Sequence, residues 1–225
     1  MNPKKIYCSL LMATLLICRL FNTNAQDDPS KPLMIYPSVS IGFGFFYPEH
    51  VNEYIEDKIL SGYTSEINTE LYMYYEIRGG ITLRMKTIDF GASLEYDIAP
   101  KFVVVTGSDN ITYAYGRFAP EIFTDFYIPS KSGKNAFFIG AGINYSFMKF
   151  KEYSASAPGA SVRAGYSIQL KSVNFQPYAL FRYVKASDPS GYENGGTLVH
   201  PDFELSYTAA QLGVNISFHR RMLYK

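Results

Sequence analysis

Hydrophobic and polar residues alternate along most of this chain, and the alternation is clearest from Val162 to Leu170. Every second residue of this segment is apolar, and the residues between them are Arg163, Gly165, Ser167 and Gln169. Successive side chains of a β-strand point to opposite faces, so the pattern predicts a strand with one apolar and one polar face. The same pattern recurs along the chain and predicts eight such strands.

The eight predicted strands are joined by connections of unequal length. The strands cover residues 34–46, 71–86, 87–98, 111–128, 136–149, 162–170, 174–185 and 204–219. Connections after the even-numbered strands are short, and those after the odd-numbered strands are longer. The longer ones cover residues 47–70, 99–110, 150–158 and 186–203. An up-and-down barrel with short turns at one end and long loops at the other predicts this alternation.

The first long connection has a pattern of its own. Its apolar residues fall at helical spacing: Val51, Tyr54, Ile55 and Ile59. This spacing predicts a short amphipathic helix over residues 48–60, with Pro48 in the first turn and Gly62 as the C-terminal stop. We expect the helix to rest on the barrel or on the membrane interface through its apolar stripe.

The N-terminus has the composition of an export signal. Two lysines precede an apolar stretch over residues 6–17, and Ala25 follows a few residues later. A basic start, a short apolar core and a small residue at the end are typical of a secretory signal peptide. We therefore divide the chain into a signal peptide over residues 1–25 and a β-barrel domain over residues 26–225.

Both cysteines, Cys8 and Cys18, lie inside the predicted signal peptide, so the mature chain has no disulfide. Cys18 also leaves a lipoprotein signal as an alternative, which Ile17 and Arg19 disfavour because small residues are expected there. Cleavage would remove three basic residues and no acidic one, which changes the net charge from +1 to −2. This balance leaves no basic surface for nucleic acid.

The composition of the polar face predicts which face points outward. A solvated exterior would be rich in Lys, Glu and Thr, whereas this face is rich in glycine. The glycines are Gly42, Gly44, Gly80, Gly91, Gly140, Gly142, Gly165 and Gly213. Glycine suits places where space is scarce, and the interior of an eight-stranded barrel is just wide enough for side chains. We therefore predict that the apolar face contacts lipid and that the polar face lines the lumen. A soluble lipocalin-like binder is the structural alternative.

The predicted lumen contains charged residues of both signs. They are Glu76, Arg78, Arg84, Asp89, Glu95, Asp97, Arg117, Glu121, Asp125, Arg163 and Arg182. Charges in a water-poor interior persist only when they are paired, so we expect an ion-pair network that plugs the lumen. Passage of small solutes or hydrophobic compounds is the alternative, and it is disfavoured because eight strands leave no aqueous pore.

The chain resembles the small outer-membrane β-barrel family of the OmpA/OmpX-like, eight-stranded kind. Such barrels typically end in a polar residue, a glycine, an apolar and an aromatic residue that the barrel assembly machinery reads. The corresponding residues are Gln211, Gly213, Ile216 and Phe218. The tail from His219 to Lys225 departs from that pattern, since these strands usually stop at the aromatic residue. The resemblance implies an all-β, antiparallel, up-and-down transmembrane barrel surrounded by outer-membrane lipid.

Members of that family act in adhesion, envelope integrity, secretion or passage of small compounds, and a few modify lipids. We expect a structural or interaction role through the loops at residues 48–69 and 186–203. His200 lies near Asp202 and Ser206, but no recognised catalytic motif is present. A loop histidine is more often solvated than catalytic, so we predict no enzyme activity, no cofactor and no metal site. A lipid-modifying enzyme is the less favoured alternative.

Overall fold

The chain forms a closed barrel of eight antiparallel strands with one short helix at its mouth. The computed structural model describes residues 33–55, 72–85, 87–104, 110–131, 135–170, 173–194 and 197–218. The barrel strands are β1 (Leu33–Phe46), β2 (Tyr72–Met85), β3 (Ile88–Val104), β4 (Asn110–Pro129), β5 (Asn135–Phe150), β6 (Tyr153–Leu170), β7 (Val173–Val184) and β12 (Tyr207–Phe218). Each barrel strand pairs with its neighbours along the barrel, and β12 pairs with β1 to close it. The predicted fold class is confirmed.

Two predicted connections are wrong. Most of the loop predicted over residues 99–110 is strand, because β3 runs to Val104 and pairs with β4 from Ala99 opposite Tyr115 to Val104 opposite Asn110. We expected a long loop over residues 150–158, but Lys151 and Glu152 alone form the turn between β5 and β6, and Lys151 has a φ of 51°. The first half of β6 pairs with β5 from Phe150 opposite Tyr153 onwards. Residues 154–159 are Ser, Ala, Ser, Ala, Pro and Gly, whose side chains differ too little in polarity to show alternation. The short and long connections therefore alternate less regularly than predicted.

The last long connection contains secondary structure that we did not predict. It has four short strands: β8 (Ser187–Asp188), β9 (Tyr192–Asn194), β10 (Thr197–His200) and β11 (Phe203–Glu204). β8 pairs with β11 and β9 pairs with β10, so the connection folds back on itself twice. Because β11 takes residue 204, the barrel strand β12 begins at Tyr207 rather than at residue 204. Strands of two to four residues are too short for a period-two pattern to be visible.

The helix α1 covers Glu49–Ile55 and rests on the barrel mouth. Val51 and Tyr54 are buried in a cluster with strand residues, as expected for the apolar stripe. Pro48 lies just before the helix rather than in its first turn, and its carbonyl oxygen accepts a hydrogen bond from the Asn52 N–H at 3.0 Å. Residues 56–60 of the predicted helix, Gly62, the signal peptide and the C-terminal tail lie outside the described residues. No helix in the described part of the chain is long and apolar enough to span a membrane.

The two faces of the strands differ in burial as well as in composition. Along β5 every second residue is buried, and the alternation runs without a break. Ile143 is 68 % exposed on the outside, whereas its neighbour Asn144 is only 6 % exposed on the inside. Apolar side chains thus cover the exterior, and the interior contains polar side chains together with a buried aromatic cluster towards the loops. This arrangement is the reverse of that in a water-soluble barrel.

Candidate functional site

The structure places all eleven predicted lumen residues on the inner face of the barrel, and five of the eight barrel strands carry them. Glu76, Arg78 and Arg84 lie on β2, Asp89, Glu95 and Asp97 on β3, Arg117, Glu121 and Asp125 on β4, Arg163 on β6 and Arg182 on β7. All are buried except Arg163, which is partly exposed. The charges are therefore withdrawn from solvent and depend on one another.

A central cluster contains three guanidinium groups and four carboxyl groups. Its members are Arg78, Arg117, Arg182, Glu76, Glu95, Asp97 and Glu121. Glu95 lies at the centre and contacts all three cations. Its carboxylate oxygens are 2.6 Å from Arg78 Nη2, 3.0 Å from Arg117 Nη1 and 2.8 Å from Arg182 Nη2. This carboxylate links β2, β4 and β7 across the barrel.

Neutral polar side chains, which are not part of the predicted ion-pair network, complete the central cluster. Gln211 donates from Nε2 to Glu76 Oε1 at 2.8 Å, and Ser161 donates to Glu121 Oε1 at 2.5 Å. Arg117 donates from Nε to Ser146 Oγ at 2.9 Å. The sequence pattern predicts a role for Gln211 only in the assembly signal. Gln211 alternates with outward-facing residues along β12 and therefore lies on the inner face. This alternation is the sequence signal that could have indicated its contact with the buried charges.

Two separate ion pairs lie nearer the end with the short turns. Arg84 donates from Nε and Nη2 to the two oxygens of Asp89, both at 2.6 Å. Tyr36 also donates a hydrogen bond to Asp89, and the Arg84 guanidinium lies 4.2 Å from the ring centre of Tyr127. Each of these contacts satisfies part of the hydrogen-bonding capacity of a charged group that is removed from water.

The second pair joins Arg163 to Asp125. Arg163 donates from Nε and Nη2 to the two oxygens of Asp125, both at 2.7 Å, and its guanidinium lies 3.9 Å from the ring centre of Phe123. A fork of two parallel hydrogen bonds is the strongest geometry available to an arginine and a carboxylate. Arg163, which a soluble barrel would place in solvent, thus has a fixed partner inside.

Gly140 provides the space for the Asp125–Arg163 pair. A Cβ atom at this position would lie 2.0 Å from Asp125 Oδ1 and 2.7 Å from the backbone oxygen of Thr124. We expect Gly140→Ala to lower the free energy of unfolding by about 1–3 kcal/mol, because it must displace the paired carboxylate. Gly116→Ala is the matched control, since nothing lies within 4 Å of its Cβ position. Urea unfolding of the refolded barrels measures both, and equal effects would contradict the steric argument.

Aromatic side chains close the end of the barrel that carries the long loops. Phe203, from the last long connection, stacks on Tyr153 with ring centres 3.9 Å apart. Tyr54 of α1 meets Phe203 edge to face at 6.0 Å. The backbone N–H of Glu204 donates to His50 Nδ1 at 2.8 Å, which joins α1 to β11. We call this assembly of α1 and β11 over the barrel mouth the loop-end cap.

Asp188 anchors the loop next to this cap. Its two carboxylate oxygens accept hydrogen bonds from the backbone N–H groups of Ser154 at 2.6 Å and of Ser190 at 2.8 Å. Burial by itself raises the pKa of Asp188. The hydrogen bonds from the Ser190 hydroxyl and the two backbone N–H groups outweigh it and lower the pKa below its usual value. The folded loop therefore favours the ionised carboxylate.

We expect Asp188→Asn to loosen this loop at neutral pH. A hydrogen bond to a charged acceptor contributes about 1.5–3 kcal/mol, so amide hydrogen exchange at Ser154 should become at least about tenfold faster. A depressed pKa stabilises the folded loop at neutral pH, and this stabilisation is lost as the pH falls through the lowered value. The difference between wild type and variant should therefore vanish in acid. Asp202→Asn, at an exposed position, is the control and should leave exchange at Ser154 unchanged.

The outer surface is a continuous apolar band with aromatic residues towards both ends. Towards the loops the exposed aromatic residues are Phe43, Phe45, Tyr47, Tyr75, Phe118, Tyr145, Phe147, Phe181 and Tyr183, and towards the turns they are Phe90, Phe126, Phe137 and Tyr166. The exposed residues between them are mainly aliphatic and include Ile41, Leu94, Ile122, Ile143, Val162 and Leu212. Outer-membrane barrels have this arrangement of an apolar band between two aromatic girdles.

The other residues singled out in the sequence belong to the predicted assembly signal and to the group around His200. Gly213 lies on β12 opposite Gly42 of β1, while Ile216 and Phe218 are partly exposed near the end of β12. The structure describes the backbone of His200 in β10 but not its side chain. Asp202 is exposed, and Ser206 Oγ accepts a hydrogen bond from the backbone N–H of Ala186 at 3.4 Å. These observations leave the assembly signal and the absence of enzyme activity as predictions.

Comparison with known proteins shows the fold. No protein-family model matches the sequence, and no curated protein matches it at a significant level. The solved structure of the neisserial surface protein NspA matches with a TM-score of 0.55 at 8 % identity, over 84 % of this chain and 99 % of NspA. Variants of the Rhodopseudomonas blastica porin align over 82 % of this chain and all of theirs at 10 % identity, with a TM-score of only 0.15. The likeness to NspA agrees with the eight-stranded barrel described above.

Proposed function

We propose that this protein is an integral outer-membrane β-barrel with a closed interior and a structural or interaction role at the cell envelope. The observation that carries the proposal is the apolar exterior, on which residues such as Ile122 and Ile143 are 65 % and 68 % exposed. Soluble monomers rarely expose a continuous apolar surface of this extent, whereas lipid provides the partner that it needs. The likeness of the fold to a neisserial surface protein supports the same location.

A plugged lumen is the second part of the proposal. The central cluster crosses the barrel, and the two further ion pairs fill the interior towards the turns. At the other end, the loop-end cap covers the mouth. Opening an aqueous path would require several buried ion pairs to separate. These features favour a plug over solute passage.

The loops then provide the surface for a partner. The loop at residues 186–203 is folded by the β8–β11 and β9–β10 pairings and is attached to the barrel through Asp188. A preorganised loop loses less conformational entropy when it binds than a flexible one does. We therefore expect a protein or surface partner to contact this loop and the described part of the first loop at residues 48–55.

Membrane fractionation with a heat-modifiability gel tests the location. We expect the mature chain in the outer-membrane fraction, and we expect unboiled and boiled samples to migrate differently because the barrel resists detergent until heated. Recovery of an unshifted protein in the soluble fraction would overturn the proposal. A second measurement, efflux of small solutes from liposomes that contain the refolded barrel, tests the plug. Efflux well above that of empty liposomes would favour the transport alternative.

A further inference from the structure

The described part of the barrel interior contains one more carboxyl group than guanidinium groups. Among the interior side chains that the structure describes, the carboxyl groups are Glu76, Asp89, Glu95, Asp97, Glu121 and Asp125, and the guanidinium groups are Arg78, Arg84, Arg117, Arg163 and Arg182. The Arg84–Asp89 and Arg163–Asp125 pairs are neutral by themselves. The excess negative charge therefore belongs to the central cluster, where four carboxyl groups meet three guanidinium groups.

Three of the four carboxyl groups in the central cluster have a polar contact at both oxygens, as a hydrogen bond or, for Glu95 Oε1 and Glu121 Oε2, as an ion pair with Arg78 that lacks hydrogen-bond geometry. The donors of Glu76 are Gln211 Nε2 at 2.8 Å and Arg182 Nη2 at 3.0 Å. Glu95 has Arg78 Nη2 at 2.6 Å and Arg117 Nη1 at 3.0 Å. Glu121 has Ser161 Oγ at 2.5 Å and Arg78 Nη1 at 3.1 Å. These contacts suit ionised carboxylates.

Asp97 is the exception. Its Oδ2 lies 2.8 Å from Arg117 Nη1 and 3.5 Å from Arg182 Nη1, but its Oδ1 is buried with neither a hydrogen bond nor an ion pair. The residue is only 1 % exposed. A bare carboxylate oxygen in a dry interior is costly, and Glu76 lies directly opposite in the β2–β3 register, where a second negative charge repels it. Asp97 is therefore the carboxyl group at which an added proton removes most of the desolvation cost and of the repulsion between negative charges.

We propose that the central cluster binds one proton at neutral pH and that this proton resides on Asp97 Oδ1. Folding would take the proton up from solvent and leave the described interior neutral, with Oδ2 still accepting from Arg117. The charged and titratable groups that face Asp97 from the surrounding strands are Glu76 and Tyr74 on β2, Glu95 on β3, Arg117 and Tyr115 on β4, Arg182 on β7 and Tyr207 on β12. No three ligand-type side chains in the described ranges are arranged to hold a metal ion as the alternative counter-charge.

Infrared spectroscopy of the refolded barrel tests the proton directly. At neutral pH, in a detergent without carbonyl groups, we expect the wild type to show the carbonyl stretch of a protonated carboxylic acid, shifted in D₂O. Asp97→Asn should lose this band, whereas Asp125→Asn, which alters a neutral pair, should retain it. A wild type without the band, or an Asp97→Asn variant that keeps it, would overturn the proposal.

Urea unfolding provides an independent readout. An asparagine side chain matches a protonated aspartic acid in shape and charge, so Asp97→Asn should keep or raise the unfolding midpoint at neutral pH. Glu95→Gln, which removes a charge that contacts three guanidinium groups, should lower the midpoint. An Asp97→Asn midpoint lowered as far as that of Glu95→Gln would show that Asp97 is ionised. A wild-type midpoint that rises with sodium concentration but not with an equal concentration of tetramethylammonium would identify a metal ion instead. Either of these two results would contradict the proposal that Asp97 carries a proton.

Discussion

Replacing Arg182 with methionine is expected to lower the free energy of unfolding by about 3–5 kcal/mol, the range found when one member of a buried ion pair is removed. Arg182 has no solvent-exposed surface, and it lies 3.0 Å from Glu76, 2.8 Å from Glu95 and 3.5 Å from Asp97. Methionine fills a similar volume, so the loss reports the uncompensated carboxylates rather than a cavity. Urea unfolding of the barrel refolded into lipid vesicles measures it.

The control for this experiment is a compensated variant. Adding Glu76→Gln to Arg182→Met removes one of the carboxylates that the first substitution leaves unpaired. We expect the double variant to be more stable than Arg182→Met, because the two charges belong to one network and their effects are not additive. Lys149→Met, at an exposed position, should change stability by less than about 0.5 kcal/mol. A loss below 1 kcal/mol for Arg182→Met would contradict the buried network.

Replacing Ile122 with arginine is expected to destabilise the barrel in lipid by about 2–4 kcal/mol, the cost of an arginine on the lipid face at the bilayer midplane. Ile122 is 65 % exposed, and it pairs with Ala92 and Ile143 well away from both ends of β4. The substitution leaves the interior unchanged, so the change in the free energy of unfolding reports whether lipid or water surrounds the barrel. Urea titration in lipid vesicles measures this cost.

Ile128 provides the depth control. It is 62 % exposed on the same strand and the same face, but it lies one residue before the end of β4 at Pro129. Ile128→Arg should therefore cost only about 0–1 kcal/mol, since arginine near the interface reaches water. If both substitutions proved harmless, the exterior would be facing water, and the proposed membrane location would be wrong.

The number of barrel strands and the direction in which their two faces point could be read from the sequence because both depend on local chemistry. Period-two alternation is a property of each strand by itself, and it was visible wherever large apolar residues faced small or polar ones, as in β5. It failed over the first half of β6, where serine, alanine, proline and glycine leave no contrast between faces. The two-residue strands of the last long connection were invisible for a different reason, since each exists only through its partner.

The partners within the interior could not be read in the same way. The sequence identified the eleven charged residues, but Arg182 and Glu76, which lie 3.0 Å apart, are far apart along the chain and on strands that do not pair. Their contact depends on the curvature of the closed sheet, which brings side chains from opposite walls together. The same geometry selects the neutral partners, such as Gln211 for Glu76. No pattern along the chain carries this information.

The alternation of residues along the chain was enough to establish two-faced strands with charged and glycine-rich inner positions, because side-chain direction alternates in any extended backbone. Which of the charges meet depends on the closed barrel. Closure of the barrel withdrew them from water, joined three arginines to four carboxyl groups and left Asp97 Oδ1 without a donor. Electrostatic pairing acts across a few ångströms of space, whatever the distance along the chain, and so it depends on the fold.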